Sequence, residues 1–449
     1  EALTLIAEHD PGVPPAAYPL HRAQRSLARA YGFPGWTRLV RHCELVRQHS
    51  RTPDTVGEQA DPAAEFLRLA CLTYGADSPE RRERAVRILA AHPEIRHDLH
   101  VAAARADVTE LGRVLAGGAG ADTEGGPFGW TPLLYLAYAR HDPEVTRKST
   151  VDTARLLLAH GADPNAGFLW HGLPTPFTVL TGVFGEGEAG PAGQPVHPHA
   201  LALAEVLLDA GADPNDGQAL YNRMFSADDS HLELLLRYGL GRGDGGPWHR
   251  RLGPALDPPA QQVRDLLWWA VTHGQAGRVR LLAGTGVDLT TPNPDGTTLA
   301  TAAALYGYPE IEAVLRAHGV PPPRLDPPDA LVAAIFAGGP TAGFPDTVRD
   351  AARRRRPGLA VFAAGQQRAE VVRRLIAAGW DPNVRGRGDA PVEQPWETAL
   401  HQAAGHGDSA LVADLLAAGA DPRALDQRFQ ATPRGWAEHF GHAGTAALL

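Results

Sequence analysis

The chain has 449 residues, more than one ordinary hydrophobic core organises, and a net charge of −9 with 44% hydrophobic residues. That balance shows no basic stripe of the kind that binds nucleic acid, and no run of about 20 apolar residues can span a membrane. Lys148 is the only lysine, so Arg carries nearly all the positive charge, and with abundant Ala and Gly this suggests a GC-rich genome. Cys43 and Cys71 cannot make a disulfide framework; buried, reduced thiols in a cytoplasmic protein are expected.

Residues 20–30 and 36–46 read as two helices joined by Gly32-Phe33-Pro34-Gly35, with Trp36, Leu39, Val40 and Cys43 on one face of the second. Residues 1–50 are expected to form an N-terminal helical cap and residues 51–60 a polar linker. Residues 61–96 predict a further helical pair (64–72 and 80–91). From 97 to 449 the chain repeats. Leu99-His100-Val101-Ala102-Ala103 opens the first unit, which ends near Asp122. The second runs from Gly129 to Asn165, stretched by an insertion at 141–151. The third, Leu173 to Asn215, contains the largest irregularity, residues 185–199, whose glycines and prolines suit neither helix nor strand; a loop of this length is usually functional or disordered. The fourth, from Gly217, carries Tyr221-Asn222-Arg223-Met224 and is followed by an insertion at 241–263 that includes Trp248. The fifth contains Trp268-Trp269-Ala270, the sixth spans Asp295 to Val320, and the seventh, near 329–357, is degenerate. Three more regular units follow, the last at half length.

The repeating signal is local chemistry. Gly161-Ala162-Asp163-Pro164 recurs as Gly211-Ala212-Asp213-Pro214 and Gly419-Ala420-Asp421-Pro422, with Gly379-Trp380-Asp381-Pro382 as a variant. The Gly takes the left-handed position that ends a helix, and Asp-Pro forbids its continuation. Thr131-Pro132, Thr175-Pro176 and Thr432-Pro433 start helices, with Pro at the first helical position. The clearest unit, Trp396 to Arg423, has Thr398 as an N-cap, a short helix with Leu400, Ala403 and Ala404, a break at Gly407, and a second helix whose Leu411, Val412, Leu415 and Leu416 form one face. A helix pair cannot bury its own apolar face, so such units need neighbours.

This pattern resembles the ankyrin repeat, with its T-P-L-H-x-A opening, two helices and a turn. The resemblance implies an all-α fold: an ankyrin-repeat solenoid of helix-turn-helix units with irregular insertions. The 1–50 segment resembles the helical stretch that precedes such repeats in bacterial, actinobacterial-type proteins.

Carried over from the ankyrin family position by position, the concave face would present Tyr135, Tyr138, Arg223, Trp269, His273, Tyr306, Phe362, Gln402 and His406, with Trp130 on the preceding turn. Aromatic residues and Arg are the usual binding anchors. His401 fills the family's His position, a structural role. His171, His197 and His199 lack metal-ligand spacing, so no metal is expected, and the glycine clusters match no phosphate-binding fingerprint, so no cofactor is expected. Asp228, Asp229 and Glu233 read as helix-capping acids, and Arg353 to Arg356 as a solvated helix end. Two functions are open. One is a binding module for a protein or peptide partner, with no nucleic acid and no membrane. The other is a small-molecule-binding or enzymatic protein with a pocket between the central repeats and the inserted loops.

Overall fold

The computed structural model describes residues 19–140, 145–389 and 395–449. It divides into two units, 1–263 and 264–449, with the boundary inside the helix Pro259–Thr272. Apart from short strands the described chain is helical, arranged as successive helix-turn-helix pairs.

In the first unit the leading helices Leu99–Ala104, Pro132–Tyr138, Val179–Phe184 and Gly217–Met224 pack side by side in chain order. Their partners Val108–Ala116, Arg147–Ala159, Ala200–Asp209 and Ser230–Arg237 do the same. The first leading helix is small-sided: Val101, Ala102 and Ala103 are fully buried, which lets neighbouring backbones approach. Capping acids start the pairs. Asp98 accepts from the N–H of Val101, Asp107 from Glu110 and Asp216 from Ala219. The second unit repeats the scheme, with Leu359–Gly365, Ala399–Gly405 and Pro433–His439 stacked in order.

Neighbouring pairs are stitched at the Gly-Ala-Asp-Pro turns by the Asn that follows. Asn165 donates from Nδ2 to Gly211 O (2.9 Å) and accepts from Asp213 N (2.8 Å). Asn383 makes the same two bonds to Gly419 O and Asp421 N. Histidines add a second stitch: His100 Nε2 bonds Thr123 O (2.9 Å), and His401 Nε2 bonds Ala431 O (3.1 Å). His401 is thus a spacer between turns, and it reshapes the expected cap. Its Nδ1 accepts from the Thr398 N–H.

Several expectations are corrected. The helix packed against Leu99–Ala104 is Pro62–Ala70, whereas the N-terminal helix Trp36–His49 packs on a hairpin some 130 residues downstream in sequence. That hairpin is the centre of a three-stranded sheet. Strand β1 (Ser50–Arg51) pairs in parallel with β2 (Gly167–Trp170), which pairs antiparallel with β3 (Pro176–Thr178). The expected linker therefore begins as a strand. Of the 141–151 insertion, residues 141–144 lie outside the described residues and 147–151 already belong to the helix Arg147–Ala159. The 185–199 segment contains a helical turn, Gly190–Gly193. It is tied down by the Arg140 Nε bond to Pro195 O (2.7 Å) and the Arg82 bond to Gly193 O (3.1 Å). The degenerate seventh unit is a regular pair, Pro327–Phe336 and Asp346–Arg355.

Candidate functional site

In the first unit the expected anchors are core. Trp130, Tyr135 and Tyr138 are at most 1% exposed. The hairpin explains why: β2 and β3 lay Phe168 and Phe177 over the helix Pro132–Tyr138. Trp130 stacks on Phe168 (centroids 5.0 Å, 25°) and meets Tyr138 at 4.8 Å. On another side Leu72 N donates to Tyr138 O (3.0 Å) and Arg140 N to Ala70 O (2.7 Å), so the chain after Pro62–Ala70 covers the helix end. The hydroxyls find carbonyls inside, Tyr138 to Thr178 O (3.0 Å) and Tyr135 to Gly125 O (2.9 Å), and burial pushes both phenols up from their usual range.

Arg223 is also buried, at 2% exposed. Its guanidinium pairs with Glu186 of the long insertion and with Asp228 (2.6 Å). Asp228, read as a simple capping acid, does both jobs, since it also accepts from Ser230 N (3.0 Å). Beside them Arg140 is held by four backbone carbonyls, those of Ala137, Ala139, Gly182 and Pro195. Burial lowers its pKa to about 10, leaving it charged at neutral pH. These arginines hold the insertion to the repeats.

The second unit sorts the remaining candidates differently. Tyr306 and Phe362 are buried at 4% and 1%, packed edge to face at 5.2 Å with Phe336 beside them, so they too are core. Trp269 and His273 stay half-buried and stack ring on ring (3.6 Å, 15°). His273 Nδ1 bonds Trp269 O (2.8 Å), and its Nε2 bonds the carbonyl of Asp389. Burial lowers its pKa, against the opposing pull of the two carbonyls. Asp389 lies on a finger, residues 385–389, that begins at strand β4 (Arg385–Gly386), paired antiparallel with β5 (Glu397–Thr398). Arg387 closes on Asp389, Nε to Oδ1 at 2.7 Å.

Sequence reasoning missed the acid that anchors this finger. Glu397 is 1% exposed; its Oε1 accepts from Gly388 N (2.7 Å) and its Oε2 from Gln402 Nε2 (2.8 Å). Burial raises its pKa to about 7. With both oxygens occupied by fixed donors, it orients the finger and offers no free edge to a substrate. The signal was the run Arg385-Gly386-Arg387-Gly388-Asp389, which the repeat pattern leaves unassigned. A Cβ at Gly388 would strike the Gln402 amide and displace it from Glu397. Trp269, His273 and Gln402 are thus gathered around one finger, while His406 is exposed at the end of Ala399–Gly405.

The leading helices, their partners and the connecting fingers have the geometry that the sequence pattern implies, and two stretches, residues 128–167 and 396–427, match the sequence model of the ankyrin repeat. The chain carries ankyrin repeats. No curated protein matches its sequence significantly. The first matched repeat holds the Trp130–Tyr138 core and the start of the hairpin, and the second holds Glu397, His401 and Gln402. The two matched stretches thus hold the core aromatics of the first unit and, in Glu397–Thr398, the strand on which the finger pairs.

The histidines outside the ankyrin positions are used locally. His171 Nε2 bonds Asp54 (2.7 Å), and His199 Nε2 bonds Val145 O (2.7 Å). Among the described residues no three His, Cys, Asp or Glu side chains converge as a metal cage would need. A cavity between the third and fourth repeat turns and the 241–263 insertion, lined by Asp213, Asp216, Trp248 and Gln262, measures about 30 Å³. That is room for a water-sized molecule and for nothing larger. No described helix is long and apolar enough to cross a membrane.

Proposed function

We propose that this ankyrin array is a binding module that takes a protein or peptide partner on the side of its leading helices. In the second unit the contact surface is built on Trp269, His273, Gln402 and His406, with Arg387 and Asp389 of the finger. Ankyrin repeats generally mediate protein interactions. The observation that carries the reading is the Trp269–His273 stack: a large apolar surface, half accessible, held rigid by a backbone bond to the finger. Aromatic groups fixed in this way lose little entropy on contact, which is what makes an anchor. We place its work in the cytoplasm, in keeping with the free thiols of Cys43 and Cys71. The pocket alternative, set between the central repeats and the inserted loops, draws less support, because Tyr138 and Arg223 are buried and the cavity at the third and fourth repeat turns has room for little more than water.

The test is affinity capture from a native lysate with wild-type chain and with Trp269→Ala and His406→Ala, followed by calorimetry on the purified partner. Each variant should weaken binding by about 1–3 kcal/mol at unchanged melting temperature. A partner bound equally well by both variants overturns the assignment of this surface.

A further inference from the structure

The charge of the chain is unevenly placed. Between residues 19 and 50 stand six arginines and one glutamate, Glu44, in a protein whose net charge is −9. Whole-chain composition hid this segment. In the helix Trp36–His49, Arg38, Arg41, His42 and Leu45 follow one another at i, i+3, i+4 and i+7 and so share one face.

That face meets a second basic element. The inserted helix Gly246–Leu252 brings Arg250 and Arg251 opposite, and between the two helices lies a groove of about 570 Å³. Its apolar parts are Phe33, Pro34, Leu45, Pro247, Leu252 and Pro254, and among the described residues no carboxylate lines it. The walls are held together from below by a small core of Leu169, Trp248 and Leu252, against which Leu45 and Val46 pack. Arg251 lies over the Trp248 ring at 4.9 Å, and Arg250 reaches Asp244 at 2.8 Å. Arg38 and Arg41 are exposed, and among the described residues no carboxylate pairs with either. Two unpaired guanidinium groups and a third on an aromatic face, around apolar ground, make a receptor for carboxylates interleaved with apolar side chains.

We propose that this groove binds a short acidic peptide segment of a partner protein, with Arg38, Arg41 and Arg251 receiving Asp or Glu side chains and Phe33, Leu45 and Leu252 receiving the apolar residues between them. The volume lies in the range of enclosed ligand sites and suits a few residues of chain. A nucleic acid backbone presents a continuous row of phosphates and has no use for the apolar floor. It would also meet the negative charge of the rest of the chain.

The experiment selects a random peptide library on the full chain and measures the enriched peptides by fluorescence anisotropy. The expected result is enrichment of sequences with two or more Asp or Glu separated by Leu, Phe or similar residues. Their affinity should fall with added salt and drop about tenfold or more in the Arg38→Glu/Arg41→Glu variant. Arg22→Glu/Arg25→Glu, exposed on the neighbouring helix and outside the groove, should change it by less than about twofold. Arg38→Gln/Arg41→Gln gives the same reading at smaller amplitude should the double reversal melt early. Peptides without an acidic bias, or peptides bound equally by the groove variant, overturn the proposal. Equal losses from the Arg22/Arg25 variant also overturn it, since they mark diffuse attraction. Short duplex DNA that competes for the groove and binds more tightly than the peptides does so as well.

Discussion

Trp248 donates its indole N–H to the backbone carbonyl of Asn165, 83 residues earlier, at 3.0 Å. Through this bond the 241–263 insertion is locked to the turn that closes the second repeat. The same ring carries Leu169 and Leu252, on which the N-terminal helix rests.

Trp248→Ala should therefore cost about 3–5 kcal/mol, the range for truncating a buried aromatic. It should also release the N-terminal pair, so that limited proteolysis cuts near residue 50 before the repeats are touched. Trp248→Phe keeps most of the apolar surface and loses the bond, for about 1–3 kcal/mol. A melting temperature unchanged by Trp248→Ala would show that the insertion is not anchored there.

The inter-repeat asparagines should matter in proportion to burial. Asn215 is 7% exposed; it accepts from Gly241 N (2.8 Å) and donates to Arg242 O (3.1 Å). Asn215→Ala should cost about 1–3 kcal/mol. Asn383 makes equivalent bonds on an exposed turn, where water replaces them, and Asn383→Ala should cost less than about 1 kcal/mol. Urea unfolding of the two variants measures the order directly.

Glu397 makes stability fall as pH rises. Its folded pKa is near 7 against an ordinary value of 4.5, so between these the folded state holds a proton that the unfolded state has released. No penalty exists below about pH 4.5. The penalty grows up to about pH 7 and then levels off, at about 3 kcal/mol in all. Asp389 and Arg387 face the same group with opposite effects, Asp389 raising its pKa and Arg387 lowering it. Glu397→Gln, with Gln402 turned to offer its oxygen, should be more stable than wild type at pH 8 and lose the extra stability near pH 4.5. Parallel melting curves for the two proteins across this range would refute the assignment.

The long insertion should prove structural. Glu186→Ala removes one of the carboxylates facing buried Arg223. The cost should be about 2–3 kcal/mol, less than breaking a buried pair outright because Asp228 remains. Replacing residues 185–199 with a short Gly/Ser link should destabilise at least as much. A link tolerated without loss would return the insertion to the status of a free loop.

Much of the architecture was legible because its determinants are local. Helix ends at Gly161, Gly211, Gly379 and Gly419 follow from the left-handed backbone there, with φ near +90° at all four. The spacing of Leu411, Val412, Leu415 and Leu416 determines which helix face turns inward; the first three are buried and Leu416 is half-buried. His401 could be assigned its structural part from its place in the motif. Exposure could not be assigned that way. Tyr135 and Trp269 hold the same register in their repeats, yet Tyr135 is buried against Phe128, Trp130 and His100 of the repeat before, while Trp269 stays half-buried. Nor could local rules foresee that β1 would pair with β2 across more than 100 residues, that Glu397 would be buried beneath a finger, or that Arg38 would face Arg251 over a groove. Repeat periodicity depends on neighbours within a few turns of chain. Burial and charge juxtaposition depend on which distant segments the packed array brings together, and only the tertiary structure decides that.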